Sequence, residues 1–139
     1  MNSTSLARPT AGRMAAARNA YASDGRTTAS PERLVVLLYQ RLMRDLVEAE
    51  AAIERREIES SHHLLLHAQE IIDTLDLALD RDAWDGAEAL GSLYTHLHDR
   101  LVIANVKKDA AIVAECRGMV EPLSDAWRDA WGSLAAGGA

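Results

Sequence analysis

Phenylalanine is absent from this sequence, and tryptophan and tyrosine together supply only 4% of it. Hydrophobic residues nevertheless make up 48%. The apolar mass is therefore Leu, Ala, Val and Ile, a composition that favours helices. Cysteine is nearly missing too. Cys116 stands alone, cannot form an internal disulfide, and fits a reducing compartment. No stretch approaches the roughly 18 consecutive apolar residues of a membrane span. The N-terminus lacks the apolar core of a secretory signal. There is no excess of basic charge either: the net charge of −6 argues against a nucleic-acid binder with a basic footprint. At 139 residues the chain reads as one domain. A chain of this size hides about two-thirds of its unfolded surface, enough for a real core.

What is present is uneven along the chain. Residues 1–29 are rich in Ala, Ser, Thr, Gly and Arg. They hold Arg8, Arg13, Arg18 and Arg26 against Asp24 alone. Organellar transit peptides and flexible interaction arms share this composition, and the arm is the expectation adopted. Such a segment cannot bury enough apolar surface by itself to offset its ordering entropy. One or two helical turns are expected within it, at Met14–Tyr21. Residues 30–133 are expected to form the bundle, and residues 134–139 a frayed tail.

Within TTASPERLVVLLY, residues 27–39, Ser30 suits a helix N-cap and Pro31 the first helical position. Leu38, Leu42, Leu46, Ala49 and Ile53 then recur at helical spacing. The run Leu34–Tyr39 is wholly apolar, which is too much for one buried stripe. Val35, Leu38 and Tyr39 are expected inward, and Leu34 and Leu37 outward. AAIERREIESS offers no Gly, Pro or Asn, but one helix through it would be far longer than usual. A turn is therefore placed near Arg55–Glu57. A second helix is expected to about Arg81, with Leu65, Ala68, Ile72, Leu75 and Leu79 inward. Asp82 is expected to cap a third, with Leu90, Tyr94, Leu97, Leu101 and Ala104 inward. Asp109 caps a fourth, with Ile112, Val113, Cys116 and Val120 inward. An interior proline costs about 3 kcal/mol. Pro122 should therefore kink that helix, or break it with a restart, at 118–122. Short connections make neighbours antiparallel, so the fold class is all-α, an up-down four-helix bundle.

Chemistry is hard to find. A di-metal carboxylate bundle needs two Glu-x-x-His motifs, and only Glu59–His62 is present. His63 and His67, at i,i+4, could pinch a metal, but no Glu follows the first His as a zinc protease requires. Solvated histidines on an outer face are the plainer interpretation. No hydroxyl nucleophile pairs with a base, and Cys116 lies in an apolar stripe. No enzyme is expected, and no cofactor. Surplus apolar surface stands out instead: Leu34, Leu37 and Met43, then Leu64, Ile71 and Leu77, then Leu93, Val102 and Val106. A wide core stripe explains part of it. Grooves that accept partner helices explain the rest.

Ala20–Tyr21, TASPERL with LLY, AQEII, LYTHLHDRLVIANVKKD, and GMV with DAW follow one another across about residues 19–131. In order and spacing this pattern resembles the FliS family of flagellar export chaperones. The resemblance implies a four-helix bundle in the bacterial cytosol whose client is flagellin. Family members hold the C-terminal segment of flagellin, block premature polymerisation and help deliver the subunit to the flagellar type III export gate. It implies client grooves lined here by Leu34, Leu37, Met43, Ile71, Leu75, Leu93, Leu97 and Leu101, with Asn105 and Asp109 from the matching AN..KD motif. Tyr21 matches the family's N-terminal tyrosine, implicated in engaging the gate. Three positions earlier, where members can show an apolar residue, this chain has Arg18. The arm in this family can fold back over the grooves and yield to the client. The expected partners are flagellin and a gate component, with no nucleic acid and no membrane insertion, and a monomer or weak homodimer without client. The alternative is a helical module that self-associates through the same surface.

Overall fold

The computed structural model describes residues 11–21 and 30–137. The remainder of the expected arm, 1–10 and 22–29, and residues 138–139 of the expected tail lie outside the described residues. Five α-helices and no strand are found among the described residues: α1 Ala11–Ala20, α2 Pro31–Glu54, α3 Ile58–Ala78, α4 Asp85–Lys107 and α5 Ala110–Gly137. Helices α2 to α5 form a ring in which each packs on the next and α5 closes on α2. Cross-helix contacts give the directions. Asp73 meets His98 and His62 meets Asn105, so α3 and α4 are antiparallel. Tyr39 stacks on Trp127 and Glu50 pairs with Arg117, so α2 and α5 are antiparallel. The all-α bundle expected from sequence is present. No helix among the described residues is long and apolar enough to cross a membrane.

Local chemistry accounts for most boundaries. Ser30 sits in extended backbone and its hydroxyl oxygen accepts the Arg33 N–H, with Pro31 next in line. Pairs at i,i+4, Arg41–Asp45 and Arg44–Glu48, run along α2. Its end is made without glycine. Arg56 takes a left-handed φ of 61°, which lets the Glu57 N–H reach the Ala52 carbonyl. Lys108 does the same after α4, with φ 52°, and the Asp109 N–H reaches Ala104. The inward stripes agree with expectation. Leu42, Leu46, Ala49, Leu65, Ala68, Ile72, Leu75, Tyr94, Leu97, Leu101, Ala104, Val113, Cys116 and Val120 are all buried. Burial pushes the Cys116 thiol up to about 12.

Four expectations need correction. First, α3 ends at Ala78, short of Arg81, because Leu79 turns extended and the Asp80 N–H donates to the carbonyl of Ala20 in α1. Second, Asp82 does not cap α4. Its N–H is held by the Asp80 carboxylate in a local turn, and α4 begins at Asp85 after Trp84. The Trp84 ring covers Gly86 so closely that a Cβ there would lie 2.1 Å from it, which fixes the entry of the helix. Third, α5 runs unbroken through Pro122, so the break and restart are overturned. The carbonyl that Pro122 leaves without a donor belongs to Gly118. That residue is exposed with open space beside it, so water reaches the carbonyl. Fourth, α5 continues to Gly137, into the stretch expected as a tail.

Candidate functional site

Half of residues 11–20 are alanine, the best helix former, and their larger side chains are few. Met14, Ala17, Ala20 and the following Tyr21 repeat at helical spacing and are buried. This face places α1 across α4 and α5. Part of the expected arm is thus a docked helix. Its anchor is Tyr21, whose ring stands edge-on to Trp127 at 5.8 Å. The Tyr21 hydroxyl lies 2.7 Å from that of Tyr94, and the Tyr94 hydroxyl lies 2.6 Å from that of Tyr39. Tyr39 in turn stacks on Trp127 at 6.3 Å. Four rings, contributed by α2, α4, α5 and the end of α1, close one end of the bundle around a chain of three hydroxyls. Burial pushes all three phenols well above their ordinary value. Sequence reasoning did not foresee this chain. A signal existed: with no phenylalanine, any core position needing a single aromatic ring is filled by tyrosine, and a buried hydroxyl needs a partner.

The residues expected to line client grooves divide into three sets. Leu34 and Leu37 are 51% and 45% exposed, while Val35 and Tyr39 of the same run are buried and Leu38 packs half-buried against the core. The division foreseen for this run is present, with Val36 also buried. Met43 and Leu93 are half-buried against the core. Ile71, Leu75, Leu97 and Leu101 are core. In this conformation they pack within the bundle rather than at its surface.

Asn105 and Asp109 are engaged at the α4–α5 turn. The Asn105 amide meets Nδ1 of His62 at 3.0 Å, and its carbonyl oxygen accepts from the Lys108 ammonium. The Asp109 carboxylate caps α5 by accepting the Ala111 N–H at 2.9 Å. Trp127 is buried at the end of the bundle, and Trp131 extends the same stripe, half-buried.

One group was missed altogether. Asp45, an acid for which sequence reasoning gave no interior role, is fully buried. Its carboxylate accepts from Arg41 Nε at 3.0 Å and faces Nδ1 of His67 on α3. His67 is therefore not simply a solvated histidine. No third metal ligand joins it and His63 among the described residues.

The family model for the flagellar protein FliS matches residues 14–133. The chain is 34% identical over 111 residues to the flagellar secretion chaperone FliS of Bacillus subtilis, covering 80% of this chain and 83% of that one. It is 30% identical over 103 residues to the protein of the same name from Salmonella typhimurium, covering 73% and 76%. Against the flagellar secretion chaperone FliSB of Pseudomonas aeruginosa the figure is 33% over 102 residues, covering 71% and 79%. Family members are chaperones and not enzymes. With the family model matching residues 14–133 and the Bacillus subtilis relative covered over 83% of its length, the chain belongs to the FliS family.

Proposed function

We propose that this chain is a bacterial cytosolic export chaperone. It binds the C-terminal segment of flagellin, blocks its premature polymerisation and aids its delivery to the type III export gate. The observation that carries this reading is the divided face of α2. Leu34 and Leu37 stay exposed on a helix whose other side is core. A soluble chain keeps such groups in the open where a partner covers them. An amphipathic segment laid on them uses the helix-in-groove mode. The second support is α1, which buries Met14, two alanines and Tyr21. That contact is small enough for a client that buries more to displace it. Displacement would open the surface beneath α1 and would also free Tyr21, the residue proposed to engage the gate. Without client the chain is proposed to be a monomer or weak homodimer.

The test mixes the chain with flagellin retaining or lacking its C-terminal segment and measures complexes by size-exclusion with light scattering. A complex only with the intact flagellin is expected. Equal behaviour of the two overturns the reading, and a homodimer indifferent to flagellin favours a self-associating module. Leu37→Glu should remain folded and bind the flagellin segment at least tenfold more weakly.

A further inference from the structure

Helix α3 contains no lysine or arginine, but carries Glu59, Glu70, Asp73 and Asp76. It also leaves Leu66 and Leu77 exposed at 41% and 88%. On α4, Val102 and Val106 are exposed at 38% and 80%. The two helices are clamped along their shared edge by His62 against Asn105 and by Asp73 against His98. Helical spacing does the rest. Leu66 lies one turn beyond His62. Val102 lies one turn before Asn105 and one turn beyond His98. Leu77 lies one turn beyond Asp73. The apolar side chains therefore form the two lips of the α3–α4 seam, with Glu70 and Asp73 on one lip and Asp99 on the other. α1 docks chiefly on α4 and α5, and its end reaches α3 only at Asp80, beyond the helix end.

We infer that the α3–α4 seam is a second docking surface, separate from the α2 face of Leu34 and Leu37 that carries the client reading, for an amphipathic helix of a partner protein that carries Lys or Arg beside its apolar stripe. Charge complementarity selects this occupant: the cations near the seam, Lys108 at Asn105 and Arg81 between Asp76 and Glu88, lie toward its two ends, and an acidic segment laid between them would meet Glu70, Asp73 and Asp99. The molecule already receives one helix of this kind. α1 bears Arg13 and Arg18, has no acidic residue, and presents its small apolar face to the edge of α4 that it shares with α5.

The test uses two fluorescein-labelled 18-residue peptides with leucines at helical spacing, one flanked by lysines and the other by glutamates. Fluorescence anisotropy with the full chain should show saturable binding of the lysine peptide, at least tenfold tighter than the glutamate peptide and weakened by salt. Leu66→Lys and Val102→Lys, each with an unchanged circular dichroism spectrum, should weaken it about tenfold, and Leu34→Glu on α2 should leave it unchanged. Equal binding of both peptides, no saturation, or an equal effect of Leu34→Glu overturns the inference. So does a homodimer lost in Val102→Lys, which assigns the seam to a second copy. Weaker flagellin-segment binding by Val102→Lys overturns it in favour of the client, leaving the chaperone reading standing.

Discussion

Replacing Tyr94 with phenylalanine removes one oxygen from the centre of the hydroxyl chain, strands the Tyr21 hydroxyl and leaves the Tyr39 hydroxyl with Trp127 alone. The Tyr39 hydroxyl lies 2.6 Å from that oxygen and the Tyr21 hydroxyl 2.7 Å. Both rings are buried, so water cannot take its place. A buried polar group without a partner costs about 1–3 kcal/mol. One stranded group, with about 1 kcal/mol more for the hydrogen bond that Tyr39 loses, gives a loss of about 2–4 kcal/mol, a large part of the 5–15 kcal/mol typical of a domain. Tyr21→Phe is the control. It removes the outer member of the chain, and Tyr94 keeps Tyr39, so the loss should be near 1 kcal/mol. The ring contacts with Trp127 survive in both variants. Urea unfolding followed by tryptophan emission measures the two losses, and hydrogen exchange at the α1 amides reports its docking. Tyr94→Phe should also speed exchange in α1, since Tyr21 loses its hydroxyl partner. If Tyr94→Phe costs no more than Tyr21→Phe, the three hydroxyls do not act as a chain and the reasoning fails.

Three further outcomes follow from the same structure. Alkaline pH should destabilise the fold: the phenols of Tyr21, Tyr39 and Tyr94 and the Cys116 thiol are raised above their unfolded values. The folded state therefore keeps protons that the unfolded state releases. The stabilising contribution is whole below about pH 9 and is lost as pH rises beyond it, by up to about 1.4 kcal/mol per pH unit for each group, and Tyr39→Phe should lower that slope in pH-dependent urea titrations. Arg56→Gly should stabilise by about 0.5–1 kcal/mol in the same titrations, because a left-handed φ strains a residue with a Cβ. Asp45→Ala should cost about 2–3 kcal/mol and Glu48→Ala under about 1 kcal/mol, although each acid pairs with an arginine one turn back, because only Asp45 is buried; equal losses would make Asp45 an ordinary surface partner.

Most of the bundle was legible because its information is local and periodic. Ser30 and Pro31 mark the start of α2 by their own chemistry. Leu42, Leu46, Leu65, Leu97 and Leu101 mark inward faces by spacing alone. The turn at Arg55–Glu57 could be placed only by helix length, since Arg56 adopts the left-handed conformation that glycine usually signals. Where a boundary depends on a distant residue, spacing gave no warning. The end of α3 is drawn by a hydrogen bond to Ala20, far back in the chain. The start of α4 depends on a tryptophan ring over Gly86. Pro122 is tolerated because the carbonyl it strands belongs to an exposed glycine.

The interaction surface was legible only in part, for a related reason. Periodicity ranks residues around one helix, but it cannot say how wide a sector the neighbouring helices cover. Leu34 and Leu97 look equally apolar in sequence. The first lies at the margin of α2 and remains exposed. The second lies between Tyr94 and Leu101 on α4, where α3 and α5 close over it. The same uncertainty applies to charge. Asp45 and Glu48 both sit one turn after an arginine, yet α3 covers Asp45 and supplies His67 to meet it. A bundle that binds helices must leave some apolar sectors open, and the open ones here are at margins: Leu34 and Leu37 on α2, and the two lips of the α3–α4 seam. Residues at stripe centres hold the bundle together whether or not a partner is present. A substitution that separates binding from folding should therefore be sought at the margins, and Leu37→Glu and Val102→Lys meet that condition where Leu97→Glu would unfold the chain.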